Sequence, residues 1–154
     1  MPLRALRLRG PLVLVLTCLL CPTAALPVPQ DAFTEREASQ LLNQIAGALA
    51  AHNQKKMLDA FDLNKMTDGA RFRQQINSFF AQTGIIRAHF NLLHAGPEDG
   101  KSVATADFEM EAGLRDDSLP PVRKQAQLRL VAERSADGWK FTDIEPRSFF
   151  STQP

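Results

Sequence analysis

The sequence predicts an α+β fold in which three N-terminal helices pack on one side of a curved four-stranded antiparallel sheet. Three observations carry that prediction. Between Thr34 and Phe80 apolar residues recur at three- and four-residue intervals; from Ile85 onward they alternate; and turn-forming clusters cut the alternating half into four segments. A helical period followed by a strand period in one short chain puts helices and sheet in separate layers around a shared core. A length of 154 residues suits one domain. With 44% apolar residues, 23% charged residues and a net charge of +1, the chain is neither disordered nor a nucleic-acid binder.

Residues 1 to 25 differ from the rest. Arg4, Arg7 and Arg9 stand without an acid, the apolar run Pro11 to Cys21 follows, and then comes Pro22-Thr23-Ala24-Ala25. This is the three-part pattern of a secretory signal peptide. The apolar run is shorter than the roughly 20 residues a membrane-spanning helix needs, so no permanent membrane anchor is expected. Cleavage near Ala25, with small Thr23 and Ala25 before the cut, predicts export to the periplasm or the extracellular medium. Both cysteines, Cys18 and Cys21, leave with the signal. Lipidation of Cys21 would call for a small residue before it, where Leu20 stands. Removing 25 of the 154 residues leaves 129 with 15 basic and 17 acidic side chains and no cysteine, which excludes a disulfide, a thiol nucleophile and a Cys-type zinc site.

A Pro-rich lead, residues 26 to 31, precedes Thr34-x-x-Glu37, a capping box that starts the first helix. Ala38, Leu41, Leu42, Ile45, Ala48 and Leu49 form its buried stripe, and it should end near His52. Asn53 caps a short second helix carrying Met57, Leu58 and Phe61. Asp68 caps a third with Phe72, Ile76, Phe79 and Phe80, and Gly84 is placed to stop it. In the strands that follow, even-numbered residues are apolar: Ile86, Ala88, Phe90 and Leu92, then Ala104, Ala106, Phe108, Met110 and Leu114, then Val122, Ala126, Leu128, Leu130 and Ala132. Trp139 and Phe141 begin the fourth strand. Turn signals at Gly96 to Gly100, Arg115 to Pro121 and Ala136 to Gly138 give an antiparallel meander.

Centring the first hairpin near Glu98 sets Arg87 against Glu109 and His89 against Asp107. Centring the next connection near Ser118 sets Asp107 against Arg129 and Glu111 against Gln125. The odd face then carries complementary charges, as cross-strand neighbours favour. Arg87, His89, Asp107, Glu109 and Arg129 are the candidate sheet-face interface, with a solvated ladder, a dimer contact and a His89–Asp107 proton-transfer dyad as its possible uses.

Three helices, a bent antiparallel sheet and the ending DGWKFTDIEPRSFF resemble the nuclear transport factor 2-like superfamily, which includes SnoaL-like polyketide cyclases and ketosteroid isomerases. The segment ALAAHNQKKMLDAFD is similar to that superfamily's first helix, its second helix and an aspartate-containing loop. The resemblance covers residues 32 to 150, leaving 151 to 154 as a tail. It is closer still to short exported bacterial members with the same Trp-Lys-x-x-Asp-Ile-x-Pro ending. It implies a cone-shaped, cystatin-like domain whose interior holds a small apolar ligand without a cofactor, and a sheet surface used for homodimers. Enzymes of the superfamily use an Asp or His base in the cone, often with a Tyr, and this chain has no Tyr. His52, Asp59 and Asp62 occupy the implied region. Their plainer readings are a helix-end imidazole meeting carbonyls and two solvated carboxylates.

Other motifs are weaker. His89 and His94, an odd number apart on one strand, are expected on opposite faces, which argues against a metal site. Gly100-Lys101-Ser102 has Ala95 where a phosphate loop needs its first glycine. Residues 115 to 121 form either a solvated loop or a lip over the cone. Phe149 and Phe150 either dock on the sheet or cover a partner. Together these features favour a non-catalytic module that binds a small apolar ligand or a protein partner and dimerises through its sheet. The alternative is a cofactor-free isomerase, cyclase or lyase.

Overall fold

The computed structural model describes residues 32–116 and 118–152. The expected signal, its cleavage point and the Pro-rich lead lie outside the described residues. Helices α1 (Glu35–Ala50), α2 (Gln54–Leu58) and α3 (Gly69–Gln82) come first, followed by strands β1 (Thr83–Glu98), β2 (Lys101–Leu114), β3 (Val122–Ser135) and β4 (Gly138–Glu145). A 3-10 turn, Arg147–Phe150, closes the order. The strands form one antiparallel sheet in sequence order, β1-β2-β3-β4, as the meander predicted.

Local chemistry sets the helix ends. Thr34 accepts from the Glu37 backbone N–H at 3.5 Å while the Glu37 carboxylate accepts from the Thr34 N–H at 2.7 Å, completing the capping box. The stripe from Ala38 to Leu49 is buried as expected. His52 adopts a left-handed φ of 49° just past α1, a common way for a helix to end. The Asn53 side chain caps α2 by accepting from the Lys56 N–H at 2.9 Å. Two expectations need correction. Asp68 precedes α3 but has a φ of 56° and makes no side-chain cap; only its carbonyl serves the helix, accepting from Phe72 N–H at 3.0 Å. Gly84 does not stop α3, because Thr83 does: β-branched and extended, it donates its hydroxyl to the Phe79 carbonyl at 2.8 Å and starts β1 at once.

The core lies between the helices and the even face of the sheet. Phe72, Ile76 and Phe79 of α3 and the stripe of α1 meet Phe108, Leu128, Leu130 and Phe141, all almost fully buried. Phe149 and Phe150 dock here too, 2% and 0% exposed, with ring centroids 5.5 and 6.5 Å from that of Phe108. Polar bonds fix the turn that carries them. The Gln75 amide donates to the Phe150 carbonyl at 3.0 Å, and Arg147 donates to the Thr67 carbonyl and to Asp143, each at 2.7 Å. The outer edge of β4 is covered where Phe141 N–H donates to the Ala60 carbonyl and Asp62 N–H to the Phe141 carbonyl, at 2.9 and 2.8 Å.

The strand faces follow the predicted parity, but both registers differ from the expectation by about two residues. Arg87 faces Glu111, His89 faces Glu109 and Asn91 faces Asp107. Across the next pair, Asp107 faces Gln127, Glu109 faces Gln125 and Arg129 faces Thr105. The cause in the first hairpin is its turn. Asp99 and Gly100 have φ of 50° and 76°, the pair of positive values a two-residue hairpin loop requires, so the turn centres after Asp99. A bulge between Leu92 and His94 then shifts the pairing by one residue. It also turns His94 onto the outer face, opposite Thr105, so His94 and His89 share a face.

Candidate functional site

Among the described residues, only Thr83 and Thr142 are buried without being apolar or glycine, and neither ionises. The polar chemistry is therefore on surfaces. Residues 115, 116 and 118 to 121 are exposed, a solvated loop in which Asp116 accepts from the Ser118 N–H and hydroxyl at 3.0 and 2.5 Å. Those two bonds, the hydroxyl first, hold the Asp116 carboxyl below the ordinary aspartate range.

The first candidate surface is the outer face of the sheet. Glu111, near the end of β2, bridges two arginines: Arg87 of β1 at 3.4 Å and Arg123 of β3 at 2.8 Å. Glu109 and Asp107 receive only neutral amides from β3, Gln125 at 3.0 Å and Gln127 at 3.4 Å. Arg129 does not face Asp107; it donates from Nε and Nη2 to Glu98 at 3.0 and 2.8 Å, and that bond holds the guanidinium more firmly charged. His89 is paired in register with Glu109 and not Asp107, so the expected dyad partner is displaced by one step along the ladder. Arg87, His89, Glu109, Glu111, Arg123 and Gln125 line a depression of about 580 Å³. Parity could find this face; the partners, which depend on register, it could not.

The second surface lies on the helical side. Asp59 and Asp62 line one open depression of about 740 Å³ with Lys55, Arg73, Lys140 and Asn77, over a floor that includes Leu58 and Phe61. Asp59 is exposed at the end of α2; Asp62 is half-buried and accepts from Asn64 N–H at 3.2 Å. His52 is not part of this group. Its Nε2 lies 2.9 Å from the Thr83 carbonyl oxygen, and its ring meets Phe80 edge-on at 5.1 Å, a structural placement between α1 and the start of β1. Lys55, Arg73 and Lys140 went unremarked in the sequence because three separate elements supply them. Among the described residues, no group of three or more His, Cys, Asp or Glu side chains is arranged to hold a metal ion.

Three solved structures share this architecture. A candidate aromatic ring hydroxylase from Novosphingobium aromaticivorans matches with a TM-score of 0.58 and 19% identity, covering 70% of this chain and 82% of that one. A candidate calcium/calmodulin-dependent protein kinase type II association domain from Thiobacillus denitrificans matches with a TM-score of 0.53 and 15% identity, covering 69% and 90%. The fold is nuclear transport factor 2-like. A conserved protein from Planctomyces limnophilus, at a TM-score of 0.58 and 10% identity, covers 70% of this chain and 89% of its own. No protein-family model and no curated protein matches the sequence. Between helices and sheet lies a cluster of buried aromatic and aliphatic side chains, and the charged groups cluster on the outer sheet face and beside α2.

Proposed function

We propose that this protein is an exported, non-catalytic interaction module that dimerises through the outer face of its sheet. The observation that carries the reading is the charge pattern of that face. A central acidic row on β2, Asp107, Glu109 and Glu111, is flanked by Arg87 and His89 on one side and by Arg123 and Arg129 on the other. A twofold interface brings the same patch against itself, so each copy must carry both signs in separate rows. Glu109 and Asp107, bonded among the described residues only to side-chain amides, keep acceptor capacity for a partner's cations. The interior lends an acid–base mechanism no support, since no ionisable side chain is buried among the described residues.

The test is sedimentation velocity of residues 26–154 over a micromolar concentration series. A dimer is expected. Glu111→Arg, which replaces the bridging acid by a third cation, should shift the protein to monomer while its thermal midpoint stays within a few degrees, because exposed ion pairs contribute about 0 to 1 kcal/mol. A wild-type protein that stays monomeric at high micromolar concentration overturns the proposal. Export is checked on the same material, since the mature protein should begin at Leu26.

A further inference from the structure

The two edges of the sheet are finished differently. On β4 the outward backbone groups of Phe141 are taken up by Ala60 and Asp62. On β1, among the described residues, no hydrogen bond from outside the β1–β2 ladder reaches the backbone of residues 85–92. An edge strand with open N–H and C=O groups is a template for another strand, and edges are commonly guarded by proline or a bulge. Here the bulge after Leu92 and Pro97 guard only the far half of β1. Residues 86–92 pair regularly with β2 between two irregularities, and a run of that length is ample for a strand.

The ladder itself fixes which groups are open. The two-residue turn makes Glu98 and Lys101 a hydrogen-bonded pair, and bonded pairs then recur at every odd-numbered residue of β2, the strand without a bulge in this ladder. Asp107, Glu109 and Glu111 thus bond with Asn91, His89 and Arg87, and the N–H and C=O of Ile86, Ala88, Phe90 and Leu92 face the open edge. The side chains add a symmetry. Three large apolar residues stand exposed among the described ones, and two of them bracket this segment: Ile85, 75% exposed, and Leu93, 48% exposed. Each is four residues from His89, which is also the midpoint of residues 86–92. A segment that reads alike from both ends is what antiparallel pairing with a second copy about a twofold axis requires.

We propose that β1 is a second, self-complementary interface, pairing edge to edge and antiparallel with β1 of another copy about a twofold axis at His89. In that register Ala88 bonds with the partner's Phe90 and Ile86 with the partner's Leu92, through groups that are open in the single chain. Ile85 meets the partner's Leu93 at both ends, and Arg87 lies opposite the partner's Asn91, clear of a like charge. Moving the axis by one residue sets Arg87 against the partner's His89 or against the partner's Leu93, and parts the two exposed apolar residues. The product is one eight-stranded sheet whose outer faces point the same way, so edge pairing and face pairing are compatible. One short strand is a small contact by the standard of stable interfaces, so edge pairing is the weaker of the two and emerges at high protein concentration.

Residues 26–154 contain no cysteine, so single-cysteine variants report contacts cleanly. The test uses the Glu111→Arg background, in which face pairing is disabled. His89→Cys, oxidised at high micromolar concentration, should give a disulfide-linked dimer, because directly opposed residues of a non-bonded pair have Cα atoms about 4.5 Å apart, within disulfide reach. Glu109→Cys, exposed on the same face but one strand further in, should stay unlinked, since three strand spacings, about 14 Å, separate it from its counterpart. Ala88→Pro removes an N–H that faces the open edge and none from the ladder, so it should cut the His89→Cys cross-link about tenfold with an unchanged circular dichroism spectrum. Ile85→Lys with Leu93→Lys, at two exposed positions, should cut it as much, and Ile85→Lys with Leu93→Glu should restore it. Failure of His89→Cys to cross-link, equal cross-linking of Glu109→Cys, or a cross-link indifferent to the charges at 85 and 93 each overturn the proposal. Sedimentation of the wild type at micromolar concentration reads face pairing alone, so the failure of either interface is told apart from that of the other.

Discussion

Replacing Phe150 by alanine tests whether the C-terminal turn is part of the core or an appendage to it. The side chain is fully buried, with ring centroids 5.2 Å from Phe149, 6.4 Å from Phe79 and 6.5 Å from Phe108. Those neighbours belong to α3, to β2 in the middle of the sheet and to the turn itself, so the hole left behind has a sheet for one wall and cannot collapse easily. Burial in such a site puts the loss at about 3 to 5 kcal/mol. Against a typical total of about 5 to 15 kcal/mol, this is a large share of the stability of a domain of this size. It corresponds to a fall in Tm of about 12 to 20 °C, taking about 4 °C per kcal/mol. Equilibrium urea unfolding, followed by the single tryptophan, Trp139, measures it directly. The midpoint should fall by about 2 M with the slope unchanged, since the same surface is exposed on unfolding. Leu119→Ala, at a side chain 50% exposed in the β2–β3 loop, should move stability by less than about 0.5 kcal/mol. A loss below about 1 kcal/mol for Phe150→Ala would refute the claim that the 3-10 turn closes the interior.

Three further outcomes follow from local geometry. Gly69→Ala should destabilise by more than about 2 kcal/mol, because the new Cβ would lie 2.0 Å from the Leu63 carbonyl oxygen, whereas Gly47→Ala, with nothing within 4 Å on an exposed position of α1, should gain up to about 1 kcal/mol in thermal unfolding. Ser118→Ala removes the larger of the two bonds that lower the Asp116 pKa, so NMR titration of that carboxyl should show its midpoint moving up toward the ordinary aspartate value. Because the folded-state pKa is the depressed one, the associated stability is present above the ordinary value and lost as pH falls through the folded-state value; the two proteins should therefore converge in acid. Trp139 packs its ring 5.0 Å from Phe33 with Nε1 buried, so Phe33→Ala should shift the tryptophan emission to longer wavelength, and an unchanged spectrum would place Phe33 elsewhere.

What was legible in the sequence was mostly local, although the local signals at Asp68 and Gly84 misled. Caps at Thr34 and Asn53, the stripe of α1 and the alternation of the strands all depend on residues a few positions apart, and each is where the pattern placed it. Register is different. A slip of two residues keeps every side chain on its own face, so the hydrophobic pattern cannot detect it. Only the positive φ values of Asp99 and Gly100 and the bulge at Leu92 fix the partners, and through them Glu111 becomes the bridge between Arg87 and Arg123. The depression beside α2 was less legible still. Asp59 and Asp62 stood out as acids near the implied base position, but their neighbours Arg73 and Lys140 arrive from α3 and β4, and no spacing rule links them.

The aromatic cluster between helices and sheet constrains where recognition can occur. For an apolar guest to enter between helices and sheet, side chains such as Phe149 and Phe150 would have to leave, and exposing a buried phenylalanine costs about 1.5 to 3 kcal/mol before any rearrangement of Gln75 and Arg147, which hold the turn. A guest must return that energy in full before it binds at all. The outer sheet face and the hollow beside α2 impose no such cost, because their polar groups are already solvated and in place. Stability and recognition are therefore divided between faces: the inward strand positions, even-numbered along β2 and most of β3 but including Phe141 on β4, and the helix stripes hold the fold together, while the outer sheet face around Glu109 and the outward side of α2 and α3 are free to meet partners. A substitution such as Glu109→Gln should accordingly alter association without altering unfolding, and Phe108→Ala should do the reverse at concentrations where the fold survives.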